Sequence, residues 1–222
     1  MYKAVIFDFD GLILDTETLH YRILQEMFEE HGSVLPLEVW VKDVGTNSGF
    51  MPFAYLEEQL KEKIDQAALQ TDREKRFAQR IKEELARPGV EAYLTAAREL
   101  GFKIGLASSS DYEWVSTHLK NINLFDYFEC IKTSDDVEEV KPNPDLYLKA
   151  AECLGVKPEE CIAFEDSVHG STAAMRAGMA CVIVPNEITA GLTFGETEHR
   201  LESMAELDFK MLLEKLEEQK RV

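Results

Sequence analysis

Basic residues are scarce in this chain. Its 222 residues include 24 lysines and arginines against 42 aspartates and glutamates, which gives a formal net charge of −18 at pH 7. Nucleic acids and membrane surfaces are themselves anionic, so this balance argues against binding to either. An anionic substrate would have to be attracted by a local positive feature, such as a metal ion, a lysine or helix N-termini.

Long apolar runs and paired cysteines are also missing. No apolar stretch is long enough to cross a bilayer, and the first strand is preceded by no signal peptide pattern. We therefore expect a cytoplasmic protein, and a monomer. The four cysteines stand singly in largely apolar segments, which predicts buried free thiols and no zinc site. They are Cys130, Cys153, Cys161 and Cys181.

A pair of aspartates follows the first predicted strand. Residues 4–7 are apolar and rich in β-branched and aromatic side chains, as in a buried parallel strand. Asp8 and Asp10 come next, and residues two apart in extended backbone point the same way. Both carboxylates should therefore border one small volume at the strand's carboxyl end, which favours a cation or a shared proton. The alternative is a polar turn in which Asp10 caps the next helix.

The rest of the chain predicts a helical region and then alternating strands and helices. Helix signals alone are found up to about residue 85, and the Arg-Pro-Gly sequence at 87–89 is the clearest break. Strands are then predicted at 103–107, 128–131, 161–164 and 180–184. Repeated βα units imply a parallel sheet with helices on both faces. The expected fold is α/β, with a Rossmann-like core (residues 1–14 and 85–222) and a small all-helical cap domain (residues 15–84) inserted after strand 1.

Four polar clusters fall at the carboxyl ends of predicted strands. They are Asp8/Asp10, Ser108-Ser109, Lys141 and Glu165/Asp166. Singly, each has an ordinary explanation, because serines and acidic residues commonly cap helices and a loop lysine is commonly solvated. Together they offer a nucleophile, an acid/base, hydroxyl and amide donors, a fixed cation and carboxylates for Mg²⁺.

This set of motifs resembles the haloacid dehalogenase superfamily. Asp8-Phe9-Asp10-Gly11 is similar to the nucleophile motif, Ser108 to the serine or threonine after the second strand, Lys141 to the lysine loop and Glu165-Asp166 to the acidic metal motif. The stretches at 15–17, 141–145 and 165–170 are most similar to the β-phosphoglucomutase-like phosphatases. The resemblance covers the whole chain, including the helical cap.

The resemblance implies a Mg²⁺-dependent phosphatase that hydrolyses small phosphorylated metabolites, sugar phosphates above all, through an aspartyl phosphate. Asp8 would be the nucleophile, and Asp10 the general acid and base. Dehalogenases lack an aspartate at the place of Asp10. The implied metal ligands are Asp8, the Asp10 backbone carbonyl, Asp166 and Glu165, the last directly or through water. The implied phosphate ligands are Ser108, the Ser109 amide and Lys141.

Two other functions compete with this interpretation. A hexose-phosphate mutase of the β-phosphoglucomutase type carries a cap arginine for the distal phosphate, and the corresponding residues 45–49 contain none. A non-catalytic phosphometabolite-binding module is the third possibility. The candidate substrate contacts of the cap are Thr16, His20 and Asn47, and the alternative for His20 is an ordinary place on the first cap helix. A cap that closes over the site would turn on hinges at 15–16 and 85–88.

Overall fold

A parallel sheet of six strands forms the centre of the described part of the chain. The computed structural model describes residues 1–41, 49–197 and 199–220. The strand order is β3-β2-β1-β4-β5-β6, and every neighbouring pair runs parallel, as predicted. The strands are β1 (Ala4–Phe7), β2 (Lys103–Ala107), β3 (Cys130–Lys132), β4 (Cys161–Glu165), β5 (Ala180–Ile183) and β6 (His199–Arg200). Strands β2 and β3 lie on one side of β1, and β4, β5 and β6 lie on the other, so the carboxyl end of β1 lies at a topological switch point.

Helices follow β1 along the chain. Within the described residues they are α1 (Thr16–Glu30), α2 (Leu37–Trp40), α3 (Pro52–Leu60) and α4 (Gln66–Arg80), which we call the helical insert. Asp15 and Asp65 cap α1 and α4 by accepting hydrogen bonds from the N–H groups of Thr18 and Ala68. Both α1 and α3 pack against α4. The described part of the predicted helical region therefore contains helices and no strand, while its boundaries as a cap domain at 15–84 remain a prediction.

Helices cover both faces of the sheet. They are α5 (Val90–Glu99), α6 (Tyr112–Asn121), α7 (Asp145–Leu154), α8 (Val168–Arg176) and α9 (Phe209–Gln219). Val5 and Phe7 of β1 belong to the same apolar cluster as α5 and α9, and Ala4 and Ile6 pack with α7 and α8. This alternation fixes β1 as a central strand buried on both sides. Among the described helices, none is long and apolar enough to span a membrane.

The two connections between the sheet and the helical insert are joined to each other. Leu14 and Ala86 form an antiparallel bridge, and the Arg87 N–H donates to the Ile13 carbonyl at 2.8 Å. The Arg87 guanidinium donates to three further backbone carbonyls, those of Gly11, Val184 and Pro185. Arg87 therefore ties the return connection to the loops after β1 and β5.

The prediction of four free thiols was wrong for one pair. Cys130 of β3 and Cys153 of α7 form a disulfide with their Cα atoms 6.2 Å apart. The pair is 23 residues apart in sequence, and only the packing of α7 against β3 brings it within bridging distance. Cys161 and Cys181 are buried and are not disulfide-bonded within the described part of the chain, in line with the prediction for these two thiols.

Two strand assignments also differ from prediction. A short 3₁₀ turn at Phe125–Tyr127 delays β3, which begins at Cys130 and not at residue 128. The edge strand β6 was not predicted, because its two residues, His199 and Arg200, carry no apolar pattern.

Candidate active site

Three carboxylates and one lysine meet beneath the carboxyl end of β1. Asp8 directly follows β1. Glu165 is the last residue of β4, Asp166 is the next residue, and Lys141 lies in the loop before α7. The Lys141 Nζ donates to Asp8 Oδ1 at 2.5 Å and to Glu165 Oε1 at 2.7 Å. Oxygens of Asp8, Glu165 and Asp166 lie within 4.8 Å of one another. The structure thus brings together four of the residues that were predicted from separate motifs.

Both oxygens of Glu165 are occupied by protein donors. Its Oε1 accepts from Lys141 and from the Tyr147 hydroxyl at 2.6 Å. Its Oε2 accepts from the Asp166 and Ser167 N–H groups and from the Ser167 hydroxyl. A Cβ on Gly170, in the next helix, would lie about 2 Å from this carboxylate, so only glycine fits. Glu165 is fully buried and serves as the fixed counter-charge of Lys141.

Negative charge exceeds positive charge in this cluster. Burial and the charge of Glu165 raise the pKa of Asp8 to about 7. Burial, with Asp8 and Glu165, raises the pKa of Asp166 well above its ordinary value. Burial opposes the charge of Lys141, but the two carboxylates outweigh it and raise the pKa of its amine, which stays protonated. One ammonium does not balance three carboxylates, so the cluster favours a bound proton or cation.

Asp166 has an oxygen available for a cation. Its Oδ1 is buried and has no hydrogen-bond partner among the described residues, while its Oδ2 accepts from the Asn186 side-chain amide at 2.7 Å. Asn186 itself is fixed, since its Oδ1 accepts from the N–H groups of Ile188 and Thr189. A Cβ on Gly11 would lie 2.2 Å from Asp166 Oδ2, and its φ of +81° also suits glycine. This oxygen-only donor set suits a hard divalent cation such as Mg²⁺.

Asp10 has a separate set of partners. Its Oδ1 accepts from the Thr16 hydroxyl and from the Trp114 indole N–H, both at 3.0 Å. Its Oδ2 accepts from the Ser110 hydroxyl at 2.6 Å, with the Ser108 hydroxyl at 3.5 Å. Asp10 does not cap α1, because the N-cap of that helix is Asp15. Thr16, predicted as a substrate contact, is in this structure a donor to Asp10.

The loop after β2 supplies hydroxyl groups next to Asp10. Ser108 accepts from the Ser110 N–H, and the buried Ser109 hydroxyl has no hydrogen-bond partner in the described part of the chain. Asp111 then caps α6, accepting from the N–H of Trp114. The loop therefore presents hydroxyls and a helix N-terminus to the same space as Asp10.

A cavity of about 560 Å³ connects these groups with the helical insert. Asp8, Asp10, Lys141 and Asp166 line its sheet side, together with Ser108 and Ser109. His20, Trp40 and Arg73 line it from the insert. His20 thus faces the cavity, while Asn47 lies outside the described residues.

Arg73 has no hydrogen bond or ion pair to the described residues, and its buried Nε lacks an acceptor. On the same helix, Arg76 and Arg80 pair with Glu30 and Glu26. Burial, and then the positive charge of Arg73, lower the pKa of His20 to about 3, so this imidazole is neutral at physiological pH. Among the described residues, Arg73 and Lys141 are the only lysines or arginines that line the cavity.

Sequence reasoning missed five residues of this site. They are Arg73, Ser110, Trp114, Tyr147 and Asn186. Ser110 was within reach, since it directly follows the Ser108-Ser109 pair that was singled out. The others lie in ordinary helical or turn patterns, and no local signal distinguishes them.

Comparisons with known proteins show which family this chain resembles. Residues 5–184 match a family model described as haloacid dehalogenase-like hydrolase. A Bacillus subtilis protein named "Putative phosphatase YhcW" is 66% identical over 99% of this chain and 100% of its own length. The phosphorylated carbohydrates phosphatase of Thermotoga maritima is 30% identical, over 80% of this chain and 82% of its own. The solved structure of β-phosphoglucomutase from Clostridium difficile, 25% identical, covers both chains fully with a TM-score of 0.74.

Proposed function

Because the chain belongs to the haloacid dehalogenase-like hydrolase family, we propose that it is a phosphatase of small phosphorylated metabolites, with sugar phosphates as the main class. The single observation that carries the proposal is the arrangement of two aspartates around one cavity. Asp8 is hydrogen-bonded to Lys141, and Asp10 is hydrogen-bonded to the hydroxyl groups of the loop after β2. Both side chains line the same cavity. The names of two relatives, a putative phosphatase and a phosphorylated carbohydrates phosphatase, support the reaction and the substrate class.

Asp8 is the proposed nucleophile. Its carboxylate attacks phosphorus in line with the ester bond and forms an aspartyl phosphate, which water then hydrolyses. The Lys141 ammonium, 2.5 Å from Asp8, stabilises the negative charge shared by the carboxylate and the phosphoryl group. The hydroxyl of Ser108 and the N–H of Ser109 are the proposed donors to the phosphoryl oxygens.

Asp10 is the proposed proton carrier. In the first step it protonates the leaving alcohol, and in the second it accepts a proton from the attacking water. Its hydrogen bonds to Thr16, Ser110 and Trp114 hold the carboxyl group at the edge of the cavity. Asp8 does not act as the proton carrier, because one of its oxygens becomes bonded to phosphorus.

The carboxylate cluster fits Mg²⁺, since Asp166 presents a buried oxygen without a partner and surplus negative charge surrounds it. We propose Asp8, Asp166 and the Asp10 backbone carbonyl as its ligands, with Glu165 direct or through water. When bound, Mg²⁺ supplies charge neutralisation at the phosphoryl oxygens and lowers the repulsion among the carboxylates. The oxygens of Glu165 already accept five protein hydrogen bonds, which favours the indirect role.

The insert side of the cavity is the proposed specificity region. Arg73 offers a guanidinium that forms no ion pair with the described residues, and neutral His20 can exchange a hydrogen bond with a sugar hydroxyl. The argument against the mutase alternative rested in part on finding no arginine at 45–49. Arg73 of α4 does line the cavity, so a hexose-phosphate mutase remains the second candidate. Product analysis with a sugar 1-phosphate separates release of inorganic phosphate from transfer to another hydroxyl.

The test is a panel of phosphorylated metabolites assayed with Mg²⁺ and with EDTA. We expect phosphate release with Mg²⁺ and its loss with EDTA. Asp8→Asn should lower turnover on the order of a thousandfold or more, whereas Asp65→Asn, which keeps a capping side chain far from the cavity, should not. Acid quenching with labelled substrate should trap a hydroxylamine-sensitive phosphoryl group in wild type only. Full activity of Asp8→Asn would exclude the mechanism, and binding without turnover in wild type would favour the non-catalytic module.

A further inference from the structure

Trp114 contacts both the proposed proton carrier and the helical insert. Its indole N–H donates to Asp10 Oδ1 at 3.0 Å. Its ring stacks on Phe77 of α4, with centroids 5.7 Å apart and planes 27° from parallel. Trp114 thus connects Asp10, the proposed proton carrier, with the helices that lie over the cavity.

The aromatic contacts extend on both sides of this pair. Phe77 stacks on His20 of α1 with centroids 3.9 Å apart, and Trp114 packs edge-on against His118 at 4.2 Å. Phe77 is buried, so its position is set by the packing of the insert. The four rings form a continuous column from the insert to α6.

The donors to Asp10 come from three different segments. Thr16 begins α1, Ser110 follows β2, and Trp114 lies in the first turn of α6. Because Oδ1 is shared by Thr16 and Trp114, the orientation of the carboxyl group depends on where both are held. Trp114 is itself held by the Asp111 cap on one side and by Phe77 on the other.

We propose that Trp114 is a positioning residue, which couples the seating of the helical insert to the orientation of Asp10. When Phe77 packs on the indole, the N–H group is held against Asp10 Oδ1 and the carboxyl group is directed to the leaving oxygen. The inference rests on the proposed function. In that step an Asp8 oxygen bonds to phosphorus, the ester P–O bond breaks with its electron pair on the leaving oxygen, and this oxygen takes the proton of Asp10.

A leaving-group series tests the coupling. Wild type and variants are assayed with alkyl and substituted phenyl phosphates of similar size, and log kcat/KM is plotted against the pKa of the leaving alcohol. Good leaving groups need little protonation, so a misplaced acid steepens the slope, whereas weaker binding shifts the whole line in parallel. Trp114→Phe, which keeps an aromatic ring but loses the donor, should cost about tenfold with the poorest leaving group and about twofold or less with the best.

Phe77→Leu keeps the indole donor but removes the stack, and it should steepen the slope in the same direction. The double variant should be no steeper than Trp114→Phe alone, because both changes act through one contact. Phe53→Leu, at another buried phenylalanine of the insert, should leave the slope unchanged whatever its effect on stability.

Parallel lines for wild type and Trp114→Phe would overturn the inference, as would independent additive effects of Trp114→Phe and Phe77→Leu. Asp10→Asn separates this failure from failure of the proposed function. If Asp10→Asn steepens the slope and Trp114→Phe does not, Asp10 is the acid and Trp114 does not position it. If Asp10→Asn itself leaves the slope unchanged, the proton-carrier role is wrong, and the positioning role of Trp114 is wrong with it.

Discussion

Replacing Tyr147 by phenylalanine should show what a single hydrogen bond to the buried Glu165 contributes. The Tyr147 hydroxyl donates to Glu165 Oε1 at 2.6 Å, and both side chains are fully buried. The substitution keeps the ring, which lies 5.1 Å from the Lys141 ammonium, and removes only the hydroxyl. It therefore isolates one donor out of the five that satisfy this carboxylate.

The expected loss follows from the charge of the acceptor. Hydrogen bonds to charged groups contribute roughly 1.5–3 kcal/mol to stability, and bonds between neutral groups about 1 kcal/mol. Four donors remain on Glu165, so we expect the lower part of that range, about 1.5–2 kcal/mol of unfolding free energy. For a chain of this length such a loss lowers Tm by about 3–8 °C.

Tyr93→Phe is the matched control. Tyr93 is an equally buried tyrosine, but its hydroxyl donates to a neutral acceptor, the Leu207 carbonyl, at 2.7 Å. Urea unfolding followed by fluorescence should show a loss of about 1 kcal/mol for Tyr93→Phe, smaller than the loss for Tyr147→Phe. Equal losses in the two variants would mean that Glu165 does not carry the charge assigned to it here.

Three further outcomes are expected from the cavity. Arg73→Gln should raise KM for sugar phosphates about tenfold with a smaller change in kcat. The control is Arg76→Gln, which should leave KM unchanged because the Arg76 guanidinium is already paired with Glu30. Equal effects of the two substitutions on KM would argue against an Arg73 subsite. Asn186→Ala removes the donor to Asp166 Oδ2 and should raise the Mg²⁺ concentration for half-maximal activity by about 10–100-fold, as a titration would show. Since the pKa of His20 is lowered to about 3, it stays neutral above that pH, so His20→Asn should not move either limb of a pH–rate profile measured from pH 5 to 9.

The sheet and its carboxylates could be predicted because their signals are local. An apolar run followed by acidic residues identifies β1 and Asp8, and the same pattern identifies β4 with Glu165 and Asp166. The parallel order of the strands then follows from the βα alternation, and it brings the carboxyl ends to one edge. The contact between Lys141 and Asp8 could therefore be expected from the sequence.

The contacts that the sequence did not predict depend on packing between distant segments. Arg73 lies in a stretch of charged residues that reads as a solvated helix face, and only the packing of α4 turns it to the cavity. The same holds for the Cys130–Cys153 bridge, which needs α7 on β3. Asp10 and Asp8 do border one cavity, but their partners come from different segments, Lys141 for Asp8 and the side chains of Thr16, Ser110 and Trp114 for Asp10.

The pairing of the two connections at Leu14 and Ala86 limits how the helical insert can move. Two independent linkers would allow the insert to slide, tilt and turn, whereas two strands hydrogen-bonded to each other move together. Arg87 fixes the core end of this ribbon through its carbonyl contacts. We therefore expect any motion of the insert to be a twist or bend about this bridge, which lies two residues from Thr16, and to change the position of that donor to Asp10.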